Sequence, residues 1–209
     1  MELLKILNWR YATKKFDSTK RVDHSDLEKL KEAIQLSVSS YGLQLYKVLI
    51  IENQEIRREL KKASWNQSQI TDASQLFIFC NYKTNCIQEV DNYIKLVADT
   101  QNTDVIKLQP YGDSIKTGIK NMSPEQRNSW AEKQTYIAMS NLIIACAELK
   151  IDACPMEGFD SKEYNRILGL DEVGLNAALI ATVGYRAADD EAQFRKKVRK
   201  SSDQLFQTI

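Results

Sequence analysis

Residues 136–147, Tyr136-Ile137-Ala138-Met139-Ser140-Asn141-Leu142-Ile143-Ile144-Ala145-Cys146-Ala147, are apolar nearly all round. A helix with no polar face offers water no side, so it has to be buried in a core or at a subunit interface. The residues ahead of it supply a start signal. Ser123-Pro124-Glu125-Gln126 combines an N-cap serine, a proline at the first helical position and a glutamine that completes a capping box. The fold is therefore expected to be organised around one long helix opening at Ser123.

Other segments arrange themselves around that axis. Residues 2–9 place Leu3, Leu4, Ile6 and Leu7 at helical spacing. Ser25-Asp26-Leu27-Glu28 reads as a second capping box, followed by a stripe of Leu27, Leu30, Ile34 and Val38. Asn53 to Ala63 reads as a surface helix with Ile56 and Leu60 four apart, and Thr84 to Ile119 as helices broken around Pro110-Tyr111-Gly112. Strands are expected at Tyr46–Ile51, Leu76–Cys80, Ile151–Pro155 and Ala177–Tyr185, with Leu76–Cys80 central because it is apolar on both faces. A further helix should begin at Asp160. Helices and strands that do not strictly alternate imply an α+β fold around a small mixed or antiparallel sheet. A chain of 209 residues without repeats or linker-like stretches reads as a single domain, 1–209.

Composition removes several functions. Lys+Arg 29 against Asp+Glu 28 gives a net charge of +1, so no whole-chain attraction to nucleic acid or anionic lipid is expected. No apolar run approaches the ~20 residues that cross a bilayer. Met1-Glu2-Leu3-Leu4-Lys5 meets an acid and a base before any signal-peptide core, and Cys80, Cys86, Cys146 and Cys154 form no C-x-x-C pair. Reduced, buried thiols of a cytoplasmic protein are the expectation. The lone histidine, His24, excludes His-rich metal sites and is expected at the surface; no metal site is expected. An enzyme of this composition would leave the hard chemistry to a cofactor.

Phosphate-binding loops are missing: there is no G-x-G-x-x-G, and 169–174 has Walker spacing without the following Lys-Ser/Thr. A phosphate would have to be held by side chains. Arg10 and Lys14 share a face if helical, and Lys197 and Arg199 point the same way if extended. Each pair alone is equally at home on a solvated surface. Three further segments carry polar groups near element ends: Ser39-Ser40-Tyr41-Gly42-Leu43-Gln44, the amides Asn66, Gln67 and Gln69, and Pro155-Met156-Glu157-Gly158-Phe159, where glycine lets a ligand approach the backbone.

In this order and at these separations, Arg10-Tyr11-Ala12-Thr13-Lys14, Ser39-Ser40 with Gln44, Asn66 to Gln69, Pro155 to Phe159 and Lys197 with Arg199 resemble the bacterial oxygen-insensitive nitroreductases, FMN enzymes that use NADH or NADPH. The resemblance covers nearly the whole chain, and Pro-x-Glu-Gly-Phe is its most specific element. It implies an intertwined homodimer with two FMN sites at the subunit interface and a tail, from about residue 186 to 209, wrapping the partner. Arg10, Lys197 and Arg199 would grip the FMN phosphate. Lys14 would lie near N1 and O2 as an electrostatic stabiliser, and Asn66 and Gln69 near the pyrimidine side. Ser39, Ser40 and Tyr41 would come from the partner. Pro155 and Met156 would back the ring, and the Glu157 and Gly158 backbone would sit by N5 and O4, with Tyr11 and Ala12 completing the cofactor-binding set.

The implied reaction is two-step hydride transfer, from NAD(P)H to the flavin and then to a nitroaromatic, quinone or similar flat acceptor. Flavin or pteridine reduction, dehalogenation on the same fold, and non-catalytic flavin binding are the alternatives. The chain departs from the family pattern in places. Ala12 stands where a hydroxyl residue is common, Gln69 where relatives can carry lysine, and Gln44-Leu45-Tyr46 where Gln-Pro-Trp is common; Gln69 implies a lower flavin potential than in Lys-bearing relatives. Residues 100–122 match nothing that carries over.

Overall fold

The computed structural model describes residues 1–84 and 86–209; Asn85, in the stretch read as helical from Thr84, lies outside the described residues. The four expected strands form one antiparallel sheet. They are β1 (Tyr46–Ile51), β2 (Gln75–Tyr82), β3 (Asp152–Met156) and β4 (Leu175–Gly184), in the order β1-β2-β4-β3. β2 is central as expected, and side-chain alternation sends its residues to two cores. Leu76, Ile78 and Cys80 face one core with Leu60, Tyr164 and Ile180, whereas Phe77 and Phe79 face the other with Leu142, Leu179 and Val183. A register shift between Phe79 and Cys80 pairs them with Leu179 and Ala177. The extra residue lets Ala177 and Ile180, three apart, share one face of β4.

Helices close both faces: α1 (Glu2–Trp9), α2 (His24–Gln35), α3 (Gln54–Lys62), α4 (Gln69–Asp72), α5 (Cys86–Gln101), α6 (Val105–Lys120), α7 (Pro124–Glu148), α8 (Ser161–Leu168) and α9 (Ser202–Leu205). The helix α7 opens with the expected box, Gln126 N donating to Ser123 Oγ and Ser123 N to Gln126 Oε1. Its inner face, including Ala138, Met139, Leu142 and Cys146, is buried. The opposite face is not covered within one chain: Tyr136 is 42% and Ile137 37% exposed. All four cysteines are free and buried, and His24 is exposed. Among the described residues, no helix is long and apolar enough to cross a membrane.

Four local expectations are corrected. The box at Ser25 does not form: Asp23 is the N-cap, α2 begins at His24, and the helix ends at Gln35, leaving Val38 outside the buried stripe. The helical break falls at Asn102 to Asp104 rather than at Pro110. Asn102 takes a left-handed φ of 51°, and Asp104 caps α6 by accepting from Ile106 N. Pro110 is tolerated inside α6 because the carbonyl it leaves unpaired, four residues back at Ile106, belongs to an exposed turn. Gly112 then lets α6 close on α5, where a Cβ would lie 2.9 Å from Ile94 Cγ1. In α3 the inward residues are Leu60 and Arg57, not Ile56.

Arg57 is 1% exposed. Its Nε donates to Ile70 O at 2.6 Å, Nη1 to Ser74 O at 3.1 Å and Nη2 to Ala73 O at 2.6 Å. One guanidinium thus closes the C-terminal carbonyls of α4 and fixes the entry to β2. Arg57→Met keeps the volume but strands these carbonyls. It is expected to cost about 2–4 kcal/mol, since each unpaired buried acceptor is worth roughly 1–3 kcal/mol, read as a lower midpoint in urea unfolding at unchanged slope.

Candidate functional site

The segment after α1 runs along β3 and is held from both ends of the chain. Arg10, the C-cap of α1, is extended, so the chain leaves the helix and bridges to the sheet through Ala12 and Ala153. Arg186, just beyond β4, donates from Nε (2.9 Å) and Nη2 (2.6 Å) to Oδ1 of Asp152, which is 4% exposed. The Arg186 guanidinium also lies between two rings, 4.5 Å from the Trp9 centroid and 4.6 Å from that of Tyr11. Alternate residues Trp9 and Tyr11 therefore grip Arg186, and Arg10 points elsewhere.

Asp190 completes the clamp. Its Oδ2 accepts from Tyr11 Oη at 2.8 Å, Lys14 N at 2.9 Å and Lys15 N at 3.3 Å, while Oδ1 accepts from Ala192 N at 3.1 Å. Burial pushes the Asp190 carboxyl up, but these donors outweigh it and hold the group below its ordinary value.

The clamp brings together cations from the two ends of the chain. Lys197 Nζ donates to Leu7 O at 2.8 Å and to Arg10 O. Arg10, Lys197 and Arg199 line one cavity of about 390 Å³ with Tyr11 and Ala12. Burial lowers the Arg10 and Lys197 pKa values, and Arg199 lowers both further by like-charge repulsion. Arg10 Nε is buried without a hydrogen-bond partner. Among the described residues, none of Arg10, Lys14, Lys197 and Arg199 is in an ion pair, although thirteen ion pairs form elsewhere. Converging cations with an unsatisfied donor and no carboxylate make an anion site.

Arg10 also lines a second cavity, of about 540 Å³, together with Pro155, Met156, Glu157 and, from α7, Tyr136 and Met139. Gln69 is buried behind it, with Nε2 3.9 Å from Cys154 Sγ, and Lys14 and Arg10 act on the same thiol. Burial pushes the Cys154 thiol up, against the pull of Lys14. The turn after β3 is tied at three points. Tyr136 Oη donates to Glu157 Oε1 at 2.7 Å, Phe159 N to Glu157 O at 2.9 Å, and Gln67 Nε2 to Gly158 O at 2.8 Å. The Glu157 contact, with burial second, pushes the Tyr136 hydroxyl up to about 12. Asn66, left-handed at φ 59° and exposed, stands on the loop that carries Gln67.

Ser39, Ser40 and Tyr41 stand apart from this constellation. Ser39 Oγ accepts from Gln44 N, Ser40 N donates to Gln134 Oε1, and Tyr41 meets Trp130 edge-on at 6.3 Å. Sequence reasoning missed Asp190, Arg186 and Tyr136, and named Gln67 among the amides without its partner, the Gly158 carbonyl. Of these, Asp190 alone left a signal, as the N-cap-type aspartate opening the short turn 191–194.

The four-stranded antiparallel sheet wrapped by helices is the nitroreductase-like fold. A solved structure from Exiguobacterium sibiricum, of a protein provisionally named a nitroreductase and in complex with FMN, superposes with a TM-score of 0.87 over 100% of this chain and 98% of that one, at 15% identity. A Bacillus subtilis protein, provisionally named the NAD(P)H nitroreductase YfkO, is 33% identical over 94% of each chain. One of Staphylococcus saprophyticus, also provisionally named an NAD(P)H nitroreductase, is 31% identical over 99% of this chain and 96% of its own. The Nitroreductase family model matches residues 7–185, and the chain belongs to that family.

Asp190→Ala leaves the part-buried Lys14 N–H unpaired and frees Tyr11, with an expected loss of about 1–3 kcal/mol at pH 7. Because the folded carboxyl titrates below its unfolded value, its contribution is full above the ordinary carboxylate range and fades as pH falls through the folded pKa. Wild type should therefore lose more stability than Asp190→Ala between pH 5 and pH 3 (roughly the range where a carboxylate titrates), measured by urea unfolding at each pH.

Proposed function

We propose that this chain is an FMN-dependent NAD(P)H oxidoreductase that works as a homodimer and passes electrons in pairs to flat acceptors such as nitroaromatics or quinones. The observation that supports it most is the cation cavity with its unpaired Arg10 Nε, which fits a phosphate monoester in charge and in donor chemistry. Bound there, FMN would supply the hydride-accepting and hydride-donating centre that no side chain of this protein provides.

The chain's own groups bind, orient and tune. Arg10, Lys197 and Arg199 hold the phosphate, and Tyr11 and Ala12 carry the loop that places them. Lys14, whose backbone is fixed by Asp190, would add a positive charge beside the bound ring, which would favour its reduced, anionic form. Asn66 and Gln69 offer amides to the pyrimidine edge. Pro155 and Met156 line one wall of the cavity and would back the ring, and the tied turn at Glu157 and Gly158 would offer it backbone groups.

Three observations favour the dimer. The outer face of α7 and the Leu4 and Leu7 side chains of α1 leave a contiguous apolar surface in water. Ser39, Ser40 and Tyr41 bind nothing in the cation site of their own chain, consistent with a role in the partner's site. The tail beyond residue 194, exposed along its length with Phe206 uncovered, fits a segment that wraps a second copy.

Purified protein supplied with FMN should be yellow, with a band near ~450 nm that is a property of the flavin, and should bleach within seconds of anaerobic NADH or NADPH addition. Protein that takes up FMN without bleaching is a non-catalytic flavin carrier; protein that takes up none contradicts the proposal.

A further inference from the structure

Four aromatic side chains could receive a flat acceptor, and the structure separates them. Tyr41 is engaged edge-on with Trp130, and Tyr111 lies on α6. Trp65 alone touches the turn after β3. A Cβ on Gly158 would fall 2.7 Å from Trp65 Cζ3, so the indole lies directly against the glycine and would be displaced by any other residue there. It nevertheless remains 69% exposed.

The backbone that places it is costly. Trp65 (φ 51°) and Asn66 (φ 59°) are consecutive non-glycine residues in the left-handed region, which bulky side chains rarely adopt. Asn66 N to Lys61 O (3.0 Å), Gln67 N to Ser64 O (3.0 Å) and the Gln67 clamp on Gly158 O hold it there. A segment held in an unfavourable conformation that presents a large apolar ring beside a candidate cofactor turn is placed to receive a flat ligand.

We propose that Trp65 is a specificity-determining residue: its exposed indole is the stacking platform for flat aromatic acceptors beside the Glu157–Gly158 turn. The inference rests on the FMN reading and names how its acceptor is held. Stacking on an indole is tolerant of ring substituents, so the platform selects for planarity rather than for a particular reducible group.

The test uses flavin-loaded protein and 2-naphthoate, a flat aromatic acid with nothing to reduce, titrated through perturbation of the flavin spectrum. Trp65→Asn removes the ring while supplying a residue that accepts the left-handed conformation; Trp65→Phe keeps a smaller ring. The dissociation constant for 2-naphthoate should rise about tenfold in Trp65→Asn and less than threefold in Trp65→Phe, a tenfold change being ~1.4 kcal/mol. KM for a nitroaromatic should rise in parallel at little-changed kcat, the mark of lost uniform binding. The FMN dissociation constant should move less than twofold. Unchanged 2-naphthoate binding in Trp65→Asn, or a loss of FMN affinity or dimer stability in place of the acceptor effect, overturns the inference and leaves the FMN reading standing. Wild-type protein that takes up no FMN overturns both.

Discussion

One buried carboxylate ties the molecule's functional end together. Asp190 collects the Tyr11 hydroxyl and the amides of Lys14, Lys15 and Ala192, and thereby pins the loop after α1 to the segment leading into the tail. Arg186, held by Asp152 and stacked between Trp9 and Tyr11, fixes the same loop from the other side. Repulsion among Arg10, Lys197 and Arg199 opposes their meeting, and the neutralising anion is not part of the chain. The clamp is what keeps an unfavourable charge arrangement assembled in the free protein, ready for a ligand.

The sheet supplies the fixed frame for that arrangement. β3 is an edge strand, so the loop carrying Arg10 to Lys15 can run along it through the Ala12 bridge, and the strand's end becomes the turn at Glu157 and Gly158. Cys154, within β3, is buried against Gln69, and Arg57 locks the entry to β2. Core and site are thus built from neighbouring residues. Strand Asp152–Met156 alone supplies the anchor for Arg186, the thiol behind the site and two residues of the cavity wall.

What the sequence made legible follows from periodicity and local chemistry. The strands, the capping box of α7 and Asp160 as the cap of α8 rest on short-range patterns, and all appear. The errors came where tertiary context overrode a local signal. Pro110 reads as a breaker, yet sits in a helix whose freed carbonyl belongs to an exposed turn. Ser25 reads as a cap, but Asp23 takes the position. Arg57 reads as surface charge, but is buried because three backbone carbonyls converge on it. At the site, the motif segments were readable one by one, and the cations do converge. The tertiary roles of Asp190 and Gln67 were not readable, because they depend on partners 176 and 91 residues away in the chain. The segment 136–147, apolar on every face, is covered on one side only within a single chain; the uncovered side is the strongest sequence-level hint of a second copy.

Everything proposed here turns on cations from the two ends of the polypeptide sharing one phosphate. The most direct measurement is the ratio of FMN to riboflavin affinity for apoprotein, which isolates the phosphate contribution, compared between wild type and Lys197→Ala/Arg199→Ala. A shared phosphate predicts a large preference for FMN in wild type that falls on the order of a hundredfold in the double variant, two charge-assisted contacts of about 1.5 kcal/mol each being lost, with riboflavin binding preserved and only the Arg10 share of the preference left. An FMN preference that survives the double substitution, or an equal loss of both flavins, would contradict it.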